Sequence, residues 1–141
     1  MASGDSMHGV LIGGNIRCLL KLAGTKFMPD FENRILLLEQ LHGTPALLAS
    51  QISHLSQLGV FEKLGGIVLG TFSGIQEMGL DPYGTVIRNF LPRDLPVFVT
   101  GEIGHGCNSR GAVIGAEYEI SGSRAVCREE WSQLRFSRNQ E

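Results

Sequence analysis

The chain has 141 residues, 43% of them hydrophobic and 18% charged, with a formal net charge of −2. That length fits one domain with a core of its own, and the apolar content excludes a disordered chain. The slight acidic balance argues against a nucleic-acid binder, which normally carries a basic excess. Nineteen residues are glycine, about 13% against a usual ~7% and without a Gly-X-Y period. The glycines must serve tight turns, close backbone approaches or a site built from loops.

Residues 1–8 read as a flexible leader, with no signal peptide pattern. Val10–Ile12 is a short strand candidate that ends in Gly13-Gly14-Asn15. A short helix is expected from Ile16 to about Leu22, with Asn15 as N-cap and Gly24 as its stop. Thr25 to Arg34 is loop, broken by Pro29-Asp30. Ile35–Glu39 is an apolar run closed by an acid, which fits a buried strand. The clearest helix follows: Thr44 caps it, Pro45 takes its first position and Gly59 lies near its end. Leu48, Ile52 and Leu55 mark its apolar stripe.

Ile67-Val68-Leu69 is another short buried strand, and Asp81-Pro82 opens a helix expected to run through Val86 and Phe90. The strand from Pro96 to Thr100 empties into the glycine-rich loop Gly101–Gly106. Ala116–Ile120 and Arg124–Cys127 then read as a hairpin turning at Gly122. The tail from Arg128 is polar except for Trp131, Leu134 and Phe136. Early alternation of strands and helices, followed by clustered strands, predicts mixed α/β with two strand layers and flanking helices. No apolar stretch approaches transmembrane length.

Two residues stand out chemically. His105 follows a strand between Gly104 and Gly106, whose small size leaves an imidazole free to reach a substrate and act as general base. Glu39 ends an apolar strand, where a carboxylate is costly to bury unless paired. Together they could form an acid–imidazole pair. On local sequence alone, an idle loop histidine and a solvated strand-end acid remain alternatives. His8, His42 and His54 are weaker candidates, His54 falling on a polar helix face.

A nucleophile is not evident. Ser73 lacks the Gly-x-Ser-x-Gly spacing, and Ser6 lacks a preceding strand. Cys107 lies two residues after His105, where an incidental thiol is the commoner case. Cys18, Cys107 and Cys127 show no metal-ligand spacing, so no zinc site and no cofactor is expected, and reduced thiols suggest a cytoplasmic protein. The glycine loops at Gly13-Gly14 and Gly101–Gly106 match no dinucleotide or P-loop pattern, leaving a phosphate site as a weak alternative.

These segments, in order, resemble a known family. Gly9-Val10-Leu11-Ile12-Gly13-Gly14-Asn15 resembles the Gly-x-Leu-x-Gly-Gly-Asn segment of the LD-carboxypeptidases, peptidase family S66. That family includes muramoyltetrapeptide carboxypeptidases and microcin C self-immunity proteases. Gly24-Thr25 with Pro29-Asp30-Phe31, Ile35-Leu36-Leu37-Leu38-Glu39, Leu55-Ser56-Gln57-Leu58-Gly59, Gly66-Ile67-Val68-Leu69-Gly70-Thr71-Phe72 and Gly104-His105 are similar to its successive motifs.

The resemblance spans roughly residues 9 to 127 and implies the C-terminal domain, a swivelling β/β/α three-layer fold, over residues 9–141. It implies a Ser-His-Glu triad that cuts an L,D-peptide bond and releases D-alanine from peptidoglycan tetrapeptides. Glu39 and His105 match the family's glutamate and histidine, and Gly13, Gly14, Asn15 and Gly104 fall in its substrate-binding segments. The serine would lie on an N-terminal flavodoxin-like domain outside this sequence. The chain alone is therefore expected to fold and be inactive. The implied partners are a muropeptide or related peptide, that N-terminal domain, and a second copy in a homodimer, with no nucleic acid or membrane. The sequence departs from the family where Gln40 replaces a second acid and Val113-Ile114-Gly115 replaces Pro-Ile-Gly. The long helix also lacks the family's aspartate–arginine pair. A stand-alone, non-catalytic module for ligand binding or oligomerisation is the rival reading.

Overall fold

A computed structural model describes residues 6–128. In chain order the elements are β1 (Met7–Asn15), α1 (Ile16–Leu20), β2 (Ile35–Gln40), α2 (Pro45–Gln57), β3 (Gly66–Phe72), α3 (Ser73–Gln76) and α4 (Pro82–Thr85). A 3-10 turn (Ile87–Phe90), β4 (Val97–Val99), β5 (Glu117–Ser121) and β6 (Arg124–Cys127) complete them. The strands take the order β4-β3-β2-β1-β5-β6.

β1 belongs to two pairings. Met7–Val10 runs antiparallel to β5, and Leu11–Asn15 runs parallel to β2. β2, β3 and β4 continue the parallel part. Every residue of β2 is buried, as a parallel strand covered on both faces requires. Leu36 and Leu38 face the helices, together with Ile67 and Leu69 of β3 and Leu48, Ile52 and Leu55 of α2. Ile35, Leu37 and Val68 face the other way and meet Ile120 of β5. The β5–β6 hairpin continues the six-stranded sheet beyond β1, and its Ile120 packs with the face of the parallel strands opposite the helices. The helical face is the larger core, with eighteen buried apolar residues against six on the hairpin face.

Several boundaries differ from expectation. β1 begins at Met7, not Val10, so Met7 and His8 are strand rather than leader; residues 1–5 lie outside the described residues. The packing of Met7 is the cause: its side chain is buried and fills the space that a Cβ on Gly66 would occupy. α1 stops at Leu20 instead of Leu22 and unwinds through turns closed by Leu22 and Ala23 amides. The helix expected from Pro82 through Phe90 is broken at Val86 (φ −115°, ψ −67°) into α4 and the 3-10 turn. Gly84, Thr85 and Val86 are weak helix formers, and Val86, Ile87 and Leu91 are all buried across this break. α3 was not expected. It is a single turn after β3, steadied where the Gln76 side chain accepts from the Phe72 amide (2.9 Å). Trp131, Leu134 and Phe136 lie outside the described residues.

The N-cap expectations match, whereas α1 closes on Lys21 rather than at Gly24. The Asn15 side chain accepts from the Cys18 amide (3.3 Å) and Thr44 accepts from the Leu47 amide (3.2 Å). Among the described residues no helix is long and apolar enough to cross a membrane.

Candidate active site

The carboxyl ends of β1, β2 and β3 lie side by side, the position at which α/β sheets build sites. In register, Gly13, Gly14 and Asn15 stand opposite Leu37, Leu38 and Glu39. The buried run of β2 carries Glu39 to this edge, where it is 7% exposed. The loop after β4 returns over the end of β3. A Cβ on Gly70 would come within 2.5 Å of the Ile103 carbonyl and 3.1 Å of the Glu39 Cβ. Glycine at that position is what lets the loop backbone settle beside the carboxylate.

The result is a direct contact between two residues far apart in the chain. His105 Nδ1 lies 2.7 Å from Glu39 Oε2. A carboxylate only accepts, so Nδ1 donates, and in the neutral ring Nε2 holds the free lone pair. The histidine side chain is 43% exposed and the glutamate 9%. One member is thus buried and paired, and the other reaches solvent. Among the described residues no hydrogen bond is made to Nε2. Such a pair can orient an imidazole and stabilise the charge it gains on taking a proton.

Gly13 has φ +99° and a Cβ there would lie 2.3 Å from the Leu37 carbonyl, so only glycine fits. Gly14 (φ +130°) has open space at the same position. Both lie near the end of β1. The Asn15 side chain is engaged as the α1 cap and makes no hydrogen bond to Glu39 or His105. Gly104 packs against Thr71 beside the pair. His42 and His54 are exposed, and His8 pairs with Glu117 across β1 and β5 at 2.9 Å. Ser73 begins α3, Ser6 is exposed ahead of β1, and the Cys18 and Cys107 thiols are exposed. No group of three or more His, Cys, Asp or Glu suited to a metal ion occurs among the described residues.

Sequence reasoning did not single out Thr71, Gly70 or Tyr83 as part of this region. The Tyr83 hydroxyl donates to the Gly70 carbonyl (3.0 Å) and accepts from Gln76 Nε2 (3.2 Å). Burial, and then the nearby Asp81 charge, push its pKa above the ordinary phenol range, while the Gln76 bond acts in the opposite direction. Only the order of strands in the sheet brings Gly70 beside Glu39, and no spacing along the chain announces it.

The fold and the carboxylate–imidazole pair define an α/β domain equipped for acid–base chemistry at a strand edge. The profile of the LD-carboxypeptidase C-terminal domain family matches residues 8–120, and the chain belongs to that family. It is 35% identical over 104 residues to the protein of Rickettsia conorii named "Putative carboxypeptidase RC0549", covering 73% of this chain and 32% of that protein. The chain thus spans about a third of that relative's length. Among solved structures, the microcin C7 self immunity protein MccF is 25% identical with a TM-score of 0.75, over 84% of this chain and 37% of that one. Muramoyltetrapeptide carboxypeptidase from Oxalobacter formigenes is 26% identical with a TM-score of 0.71, over 88% and 44%. MccF has been solved in complex with aspartyl sulfamoyl adenosine.

Proposed function

We propose that this chain supplies the glutamate and histidine of a serine-type LD-carboxypeptidase site. The 2.7 Å contact between His105 Nδ1 and Glu39 Oε2 carries the reading. In it, a serine on an N-terminal domain attacks the scissile carbonyl of a muropeptide and His105 Nε2 takes its proton. His105 later returns that proton to the departing D-alanine amine. Glu39 holds the ring with Nε2 outward and stabilises the imidazolium. Gly13, Gly14, Asn15 and Gly104 form the substrate-facing wall of the cleft. The reading carries with it a cytoplasmic setting, a role in peptidoglycan recycling and a homodimer as the working form.

The test joins this chain to the N-terminal domain of a family member and measures D-alanine release from tetrapeptide. An aminoacyl sulfamoyl nucleoside serves as competitor, because the likeness to MccF keeps a microcin-type substrate in play. The joined protein is expected to release D-alanine and the 141-residue chain alone is expected not to. Glu39→Gln should lower the rate by on the order of 10⁴, as loss of the orienting acid does in serine triads. Full activity in the joined protein with His105→Ala would overturn the proposal.

A further inference from the structure

An imidazole that must meet a nucleophile has to be held to within about half an ångström. His105 sits where such control is hardest to obtain. Its loop, between β4 and β5, forms no regular element, its ring is 43% exposed, and both neighbours are glycine. Burial therefore does not fix it, and the Glu39 contact fixes only the tip of the side chain.

The end of β3 supplies the remaining hold. The Thr71 amide donates to the Ile103 carbonyl (2.8 Å), tying down the approach to Gly104. The Thr71 hydroxyl oxygen accepts from the His105 amide (3.3 Å), tying down the histidine main chain itself. Gly104, at φ +133°, lies so close that an added Cβ would collide with that same hydroxyl. Threonine is branched at Cβ and stiff at χ1, and its backbone already belongs to β3. His105 is thus gripped at two points from adjacent strands: Nδ1 by Glu39 of β2, and the amide by Thr71 of β3.

We infer that Thr71 is a positioning residue for the general base, its hydroxyl setting the place of the His105 main chain from which Glu39 then orients the ring. The inference rests on the reading of His105 as the base. The part that matters is the acceptor oxygen, which serine retains and which valine and alanine lack at almost the same or smaller volume.

The experiment is NMR on the ¹⁵N-labelled 141-residue chain, comparing Thr71→Ser, Thr71→Val and Thr71→Ala with the wild type. At a pH where the imidazole is neutral, the wild-type His105 ring should carry its proton on Nδ1, and the His105 amide should be slow to exchange with solvent. Thr71→Val should speed that exchange roughly three- to ten-fold, the loss of one hydrogen bond, and move the ring toward a mixture of tautomers. Thr71→Ser should restore both signals. The Thr71 amide, bonded to Ile103, stays protected throughout and reports that the strand end is intact. If Thr71→Val fails to fold, Thr71→Ala against Thr71→Ser makes the same comparison. Wild-type exchange and tautomer in the folded valine or alanine variant overturn the inference and leave the carboxypeptidase reading standing. A wild-type ring unprotonated at Nδ1 counts against the Glu39–His105 pair itself.

Discussion

Glu39 and His105 arrive at their shared hydrogen bond from very different surroundings. Glu39 is the penultimate residue of a strand buried at all six positions, from Ile35 to Gln40, and inherits its place from the packing of both faces of the sheet. His105 stands on a loop with glycines on either side and exposed residues from His105 through Gly111, and inherits its place from a few specific contacts with β3. The acid is therefore as rigid as the core, and the base is only as rigid as Thr71 and Gly104 make it. Substitutions near the acid should register as lost stability. Those near the base should register as lost geometry in a protein that still folds.

The largest expected effect lies on the acid side. Leu38 precedes Glu39 and is fully buried among the helices. Leu38→Ala should cost about 2–5 kcal/mol through lost apolar transfer and the cavity left behind, measured by urea unfolding. Ile114, in the segment leading to β5, is 50% exposed, and Ile114→Ala should stay within about 0.5 kcal/mol. Equal costs at the two sites would break the contrast, because the loop would then draw on packing as the strand does.

The two glycines beside His105 sharpen it further. At Gly104 an added Cβ would meet the Thr71 hydroxyl and backbone with φ at +133°, whereas at Gly106 the nearest atom is the Ser109 hydroxyl at 3.8 Å. Gly104→Ala should cost about 1–3 kcal/mol, the usual range for a strained backbone position, and shift the His105 amide resonance. Gly106→Ala should leave that resonance in place. A matching shift from both would show that loop flexibility in general, rather than the Thr71 contact, sets the histidine's position.

Much of this was legible along the chain. Ile35–Glu39 announced a buried strand because both of its faces are covered, which removes alternation and leaves a continuous apolar run. Thr44-Pro45 marked the start of α2 because capping is local chemistry between the Thr44 hydroxyl and the Leu47 amide. Glu39 and His105 could be proposed as a pair from their residue types and strand-end positions. What stayed hidden depended on strand order. Thr71 lies 34 residues from His105 and falls past the expected strand Ile67–Leu69, which in the fold runs on to Phe72 and carries Thr71 to the site. Met7 looked like leader because its partner surface under Gly66 comes from a different strand. The helix does start at Asp81-Pro82, but it ends at Thr85, where burial of Val86, Ile87 and Leu91 takes over from local helix chemistry.

The smallest effect concerns the brace behind the site. Tyr83 donates to the Gly70 carbonyl and packs edge-on against Phe72, with ring centres 6.0 Å apart. It thus supports the strand end that carries Gly70 and Thr71. Tyr83→Phe keeps the ring and removes the donor, so it should cost about 1 kcal/mol at neutral pH, the net worth of one hydrogen bond. The alkaline limb adds a second signature. Burial and the Asp81 charge raise the phenol's pKa in the folded protein, so the folded state holds that proton more tightly than the unfolded chain does. The associated stability is whole below the ordinary phenol range and is lost as pH rises through it toward the folded value. Wild type should therefore lose stability faster than Tyr83→Phe as pH rises from about 10 toward the raised folded value, read as the shift in urea midpoint. Tyr118, whose pKa burial also raises, keeps a residual slope in the variant. Parallel alkaline slopes in the two proteins would mean that Tyr83 is not buried enough to brace β3, and the grip on His105 would then rest on Glu39 and Thr71 without it.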